Sequence, residues 1–338
     1  MERDGLPMER EGFPVSPKPQ SGEGGSRAIR HAQTLLAEHF GPTPLVRAAS
    51  LDTSSCRVYL KIESDLPTGS FKVRGAVYAM SRHVERHGTT PVIAASTGNH
   101  GAAVAYAGRL LNVPVTIFVP ERANPVKTRR IVDLGARLVA TGPDLSAAID
   151  AAYVEADRTG AFFLHDATDP DIPAGTATIG SEIVTQLPAA ETLVVPMGDT
   201  ALIRGVATAA KQLKPSIRIV GVAAANAPAY FLSWRGGEAV STETARTIAD
   251  GLAVRRALAP NVTAITSLVD DVRLVEEEDL LAAMVHLSSR EQVIAEPAAA
   301  AATAALMKDS DATGTIVALV TGKNVAPELL ERIGGGLS

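Results

Sequence analysis

From residue 58 onward, short runs of valine, isoleucine, leucine and alanine alternate with longer stretches whose apolar positions recur at helical spacing. Strands written as near-continuous apolar runs are buried on both faces, which calls for a parallel sheet covered by helices. The pattern predicts strands over residues 58–62, 92–95, 115–119, 137–140, 162–165, 193–196, 218–223 and 315–320. Between them it predicts helices over 101–111, 127–134, 145–158, 176–187 and 201–213. The fold class is α/β. At 338 residues the chain is long enough to divide into two lobes, each with its own core.

Ligands of open parallel sheets bind beyond the carboxyl ends of the strands. Three polar turns stand at such ends: Ser96-Thr97-Gly98-Asn99-His100-Gly101, Pro196-Met197-Gly198-Asp199-Thr200-Ala201-Leu202 and Thr321-Gly322-Lys323-Asn324. A fourth segment, Pro67-Thr68-Gly69-Ser70-Phe71-Lys72-Val73-Arg74-Gly75-Ala76, sets Lys72 at the start of a predicted helix behind a glycine-bearing turn. A lysine amine there can form a Schiff base with an aldehyde if its surroundings lower its pKa, and the free N–H groups of helix starts suit a phosphate. Each segment alone also has a plainer reading. Lys72 could be a solvated surface charge, Phe71 a core residue, Ser96, Thr97 and Asn99 helix caps, and Thr321-Gly322 a capped turn.

Composition narrows the classes. A net charge of −5 without a basic stripe argues against a nucleic-acid partner. Cys56 is the only cysteine, which rules out an intramolecular disulfide and a thiolate metal cluster and points to a reducing cytoplasm. No apolar run reaches the roughly 20 residues of a membrane span; the alanine-rich stretch over 296–306 reads as a packed helix. Residues 1–27, rich in Pro, Gly, Glu and Arg, read as a disordered tail, and no signal peptide is evident.

Taken together and in order, the four segments resemble the pyridoxal-phosphate enzymes of the tryptophan synthase β-like fold (fold type II), in particular their serine/threonine dehydratase branch. The resemblance runs from about His31 to the C-terminus and takes in Asp169-Pro170-Asp171-Ile172-Pro173-Ala174-Gly175-Thr176, Thr247-Ile248-Ala249-Asp250-Gly251-Leu252 and Glu296-Pro297-Ala298-Ala299-Ala300. It implies a two-lobed fold with parallel-rich sheets: a large cofactor-binding domain over 28–89 and 168–338, and a small mobile domain over 90–167. It also implies a homodimer, pyridoxal 5'-phosphate as cofactor, and a small amino acid as substrate. Lys72 would carry the cofactor and then remove the substrate's α-proton. Asn99 would meet the ring hydroxyl, and the N–H groups of Ser96, Thr97, Gly98, Asn99 and His100 the substrate carboxylate. Gly198, Asp199, Thr200, Ala201 and Leu202 would cradle the phosphate, Thr321 would meet the pyridine nitrogen, and Phe71, Gly251 and Glu296 would line the cofactor pocket.

The activity implied is dehydration and deamination of an L-β-hydroxy amino acid to a 2-oxo acid and ammonium. The chain ends soon after Thr321, which leaves no room for a C-terminal regulatory domain. Two alternatives stand beside it: a non-catalytic cofactor-binding protein, motivated by Asp199 in the phosphate loop, and a serine racemase-type isomerase, against which the missing carboxylates over 221–229 and Thr97 count. The phosphate loop has Asp199 and Thr200 in place of glycines; Asp199 must point away, be neutralised or reach Arg204, and Thr200 is expected to keep ordinary backbone geometry, since a β-branched residue is strained at positive φ. The segment 221–229, where racemase relatives hold a divalent cation, contains no carboxylate, so no metal is expected. Thr97 stands where those relatives carry serine. The stretches 233–235 and 247–255 are similar to a branch of hydroxyectoine-utilisation and threonine dehydratase-like enzymes. Arg74, Arg204 and Arg255 are the cations that could favour an acidic substrate side chain.

Overall fold

The computed structural model describes residues 23–332. Among the described residues, ten strands form two sheets. The first has six strands in the order β1-β2-β10-β7-β8-β9, where β1 is Leu45–Arg47, β2 Cys56–Ile62, β7 Thr192–Pro196, β8 Arg218–Ala224, β9 Asp271–Val275 and β10 Gly314–Val320. The second has four in the order β5-β4-β3-β6, with β3 Val92–Ala95, β4 Val115–Val119, β5 Arg137–Ala140 and β6 Phe162–Phe163. All pairings are parallel except β1 with β2. Every predicted strand is present, although β6 stops at Phe163 rather than at residue 165. The sequence pattern did not predict β1 or β9. Of the tail expected over 1–27, residues 1–22 lie outside the described residues, while residues 23–27 already belong to the first helix, Glu23–Ala37.

Apolar strands and helix faces pack both sheets into buried cores, with Val194, Val220, Ile316 and Ala318 in the first sheet and Val92, Ala94 and Ile117 in the second. The helix Pro297–Met307 is apolar all round and buried through Leu306, which places it inside the molecule rather than on its surface. Its alanines bring its backbone close to neighbours: a Cβ added at Gly251 would lie 3.0 Å from that of Ala298. Among the described residues no helix is long and apolar enough to cross a membrane.

One buried ionic cluster fixes the helix Lys72–His87. Arg74, 1% exposed, donates through Nε to Glu63 Oε2 at 2.8 Å and through Nη1 to Glu182 Oε1 at 2.5 Å. Lys61 Nζ donates to Glu182 Oε2 at 2.6 Å, and the Thr43 hydroxyl to Glu63 Oε1 at 2.6 Å. Burial works against the Arg74 charge, but Glu63 and Glu182 outweigh it and hold its pKa above the ordinary value. Arg74 is therefore locked into the framework two residues beyond Lys72, and is not a cation for substrate.

Candidate active site

The strand ends deliver their turns to one cavity of about 540 Å³. Turn and strand are joined by backbone pairing. Phe71 N–H donates to the Thr321 carbonyl at 3.0 Å, Ser70 bridges Gly322, and Lys323 N–H donates to the Gly69 carbonyl at 2.9 Å. Gly69 has φ +63°, and a Cβ there would come within 2.8 Å of Asn324 Oδ1, so glycine is needed both for the turn and for the close approach. The result is Lys72 at the first position of its helix with its amine in the cavity.

Of the residues predicted from sequence, Phe71, Lys72, Ser96, Thr97, Gly98, Asn99, His100, Gly198, Asp199, Thr200, Leu202, Gly251, Glu296 and Thr321 all line this cavity. Ala201 does not; it is buried behind the turn. Asn99 donates to Glu296 Oε1 at 2.6 Å and accepts from Asn324 Nδ2 at 2.6 Å, and Asn324 Nδ2 also donates to the Thr68 carbonyl at 3.0 Å. Arg130, not predicted for the site, donates to Asn324 Oδ1. These bonds tie the Asn99 turn, which follows the second sheet, to the ends of the first. Arg204 donates to the Ala167 carbonyl at 3.2 Å, and Arg255 is exposed outside the cavity lining, so neither offers a guanidinium to a substrate carboxylate there.

The largest departure from expectation is the partner of Lys72. Its Nζ lies 2.8 Å from Asp166 Oδ2 and 3.3 Å from Asp199 Oδ2. Asp166 follows β6 and was not singled out by the sequence. Burial favours the neutral amine, but the two carboxylates outweigh it, so the Lys72 pKa is raised rather than lowered. Asp166 is held well below the usual carboxylate range: burial opposes its charge, and the nearby Lys72, His100 and His165 prevail. Asp199 moves the other way, pushed up by burial and then by the Asp166 carboxylate. The pair thus separates into an ionised member and a more readily protonated one. Of the options set out for Asp199, it takes neutralisation, and its partner is Lys72; its Oδ1 also accepts from Ala201 N–H at 3.3 Å.

The phosphate-loop turn also corrects an expectation. Thr200 has φ +76° and ψ −7°, in the left-handed region, where ordinary geometry was expected. The turn has little freedom elsewhere. A Cβ on Gly198 would lie 2.1 Å from the Gly251 carbonyl oxygen, and Asn261 Nδ2 holds the Asp199 carbonyl at 3.2 Å, so the reversal into the helix Ala201–Leu213 falls on Thr200. Thr200 is 1% exposed and its hydroxyl has no hydrogen-bond partner among the described residues. A buried unpaired hydroxyl beside the N–H groups of a helix start is a donor set suited to a phosphate. His100 is buried too; its Nε2 meets the Leu164 carbonyl at 3.0 Å.

A lysine amine in a cavity at the strand ends, beside a turn whose donors suit a phosphate, within a two-sheet parallel framework, fits a cofactor-dependent enzyme of the Schiff-base class. Residues 36–322 match the family of pyridoxal-phosphate dependent enzymes, and the chain belongs to that family. It is 36% identical over 307 residues to the L-threonine ammonia-lyase of Thermotoga maritima, covering 90% of this chain and 77% of that one. Among solved structures it is similar to the processed form of threonine deaminase isoform 2 from Solanum lycopersicum, with TM-score 0.87, 29% identity and coverage of 98% and 93% of the two chains. It is also similar to maize serine racemase, with TM-score 0.85, 28% identity and coverage of 90% and 95%.

Proposed function

We propose that the chain catalyses β-elimination from an L-β-hydroxy amino acid of the threonine or serine kind, releasing a 2-oxo acid and ammonium. The carrying observation is the convergence of Lys72 Nζ, the Asn99 turn and the Thr200 turn on one cavity, in a chain that shares 36% identity with an L-threonine ammonia-lyase. Bound pyridoxal phosphate supplies an aldehyde that condenses with amines and a ring that spreads the negative charge left when the Cα–H bond breaks.

The chain's own residues do the rest. Lys72 takes the Cα proton at Nζ, which requires its neutral form; exchange of the lysine for the substrate amine has to separate Nζ from Asp166 and Asp199 enough to lower its pKa. The N–H groups of the turn from Ser96 to Asn99 receive the substrate carboxylate and orient Cα toward Nζ. The Thr200 hydroxyl and the start of the helix Ala201–Leu213 would hold the phosphate, and the Thr321 hydroxyl would serve as a donor to the pyridine nitrogen. A hydroxyl cannot keep that nitrogen protonated as a carboxylate would, which favours prompt elimination over transamination. The Cβ–O bond then breaks with its electron pair on oxygen, which leaves as water after gaining a proton. The released enamine becomes an imine and hydrolyses to the 2-oxo acid and ammonium.

The same reading makes residues 90–167 a lobe that closes over 28–89 and 168–338 and excludes water, in a cytoplasmic homodimer. The finer affiliation it carries is the hydroxyectoine-utilisation branch, supported only by the stretches 233–235 and 247–255. The test is release of ammonium and 2-oxo acid from L- and D-serine, threonine, 3-hydroxyaspartate and phenylserine. Lys72→Ala is expected to lose at least about a thousandfold in rate, since it removes both base and cofactor attachment. No release by the wild-type holoenzyme, or release that survives Lys72→Ala, would refute the proposal.

A further inference from the structure

Around Lys72 one ammonium faces two carboxyl groups, the ionised Asp166 and the more readily protonated Asp199; the His165 imidazole also lines the cavity, its Nδ1 3.6 Å from Asp166 Oδ1. The other cation lining the cavity, Arg130, is engaged with Asn324 and acts on Glu296. Arg204 stands behind Asp199, outside the cavity lining, and donates to the Ala167 carbonyl.

The proposed function commits Nζ to other partners: first the aldehyde, then the substrate's α-proton. In those states Asp166 and Asp199 lose the donor they now share; Asp199 keeps the Ala201 N–H on Oδ1, but the charge of the pair is left without its cation. A substrate carboxylate would add a third negative group. A substrate ammonium would satisfy all of them. The substrate's α-amine and α-carboxylate are already spoken for, so the cation has to come from the side chain.

We propose that Asp166 and Asp199 form a subsite for a second amino group, so that the preferred substrates are diamino acids rather than threonine or an acidic amino acid. This inference rests on the proposed role of Lys72 and names the substrate class of the same cavity.

Three side chains of matched length and without a β-leaving group test it by binding alone: L-2,4-diaminobutanoate, L-norvaline and L-glutamate, each titrated into the pyridoxal-phosphate holoenzyme and followed by the cofactor's absorbance. The diamino acid is expected to bind on the order of tenfold to a hundredfold more tightly than norvaline, the range for hydrogen bonds to charged groups, with glutamate weakest. Asp166→Asn and Asp199→Asn, on separate loops, should each reduce the ratio of diaminobutanoate to norvaline affinity, a ratio that cancels any change common to both ligands caused by the contacts with Lys72. Norvaline or glutamate binding as tightly as the diamino acid in the wild type would overturn the subsite whatever the variants do, and so would a preference that survives both substitutions. Turnover of serine or threonine without any preference for the diamino acid would refute this inference alone. Selective binding of the diamino acid with no 2-oxo acid from any β-substituted amino acid would instead refute the proposed function.

Discussion

Thr200→Gly is expected to raise the stability of the cofactor-free protein and lower its affinity for the cofactor. A β-branched residue at φ +76° stores strain of about 1–3 kcal/mol, which glycine releases. The substitution also removes a buried, unpartnered hydroxyl worth about 1–3 kcal/mol of desolvation penalty. Against these stand about 0.5–1 kcal/mol of extra backbone entropy and about 0.8 kcal/mol for the lost methyl group. The net gain without cofactor is roughly 0–5 kcal/mol, centred near 2 kcal/mol. With cofactor the hydroxyl becomes a donor to a charged phosphate, a bond of about 1.5–3 kcal/mol, so Thr200→Gly should weaken pyridoxal phosphate binding by about tenfold or more. Urea unfolding with and without pyridoxal phosphate, together with a fluorescence titration of the cofactor, reads both signs. Thr200→Val separates them, because it keeps a β-branched residue at positive φ and replaces only the hydroxyl. A cofactor-free Thr200→Gly protein less stable than wild type would refute the strain argument, and unchanged cofactor affinity would refute the placement of the hydroxyl against phosphate.

Two further outcomes follow from buried charge. Arg74→Met leaves Glu63 without its guanidinium partner in a fully buried setting and should cost about 3–5 kcal/mol, visible as a lower urea midpoint; a loss under about 1 kcal/mol would mean the cluster is not the anchor of the Lys72 helix. Asp169 is pushed up to about 6, first by burial and then by the neighbouring Asp171 carboxylate, while its Oδ1 accepts from Asp171 N–H. A carboxyl whose folded pKa is raised binds its proton more tightly in the native state, so stability falls as pH rises from about 4 to about 6 and the loss is complete above that. Asp169→Asn should flatten this window and gain roughly 2–3 kcal/mol at pH 7; unfolding curves that stay parallel to wild type from pH 4 to 7 would refute it.

Legibility from sequence followed burial. The strands Val92–Ala95, Val115–Val119 and Arg137–Ala140 and the helix Ala201–Leu213 have the bounds their apolar spacing predicts. Leu45–Arg47 escaped because it is a three-residue antiparallel edge with little burial, and Asp271–Val275 because charged residues interrupt and flank it. The cavity's turns were legible because glycine, asparagine and threonine at strand ends leave a local mark. Asp166 left none. It is one carboxylate in a polar loop, and its meaning arises only where that loop meets Lys72, 94 residues away in the chain. Thr200 misled for a related reason: its backbone is set by Gly251 and Asn261, contacts that no local rule anticipates.

The pairing of Ser70 with Gly322, and of the whole of Cys56–Ile62 with Gly314–Val320, gives the site a timetable. A ribosome adding about 5–20 residues per second needs roughly 13 to 50 seconds to travel from one half of that seam to the other. Until then the second strand of the large sheet lacks its parallel neighbour and the Lys72 turn has no wall to close against. The reactive amine is therefore enclosed long after it is synthesised, once Gly314–Val320 has left the tunnel. Any interruption of translation before the final strand leaves a protein with a bare sheet edge and no cavity, a form suited to capture by chaperones rather than to loading with a reactive aldehyde.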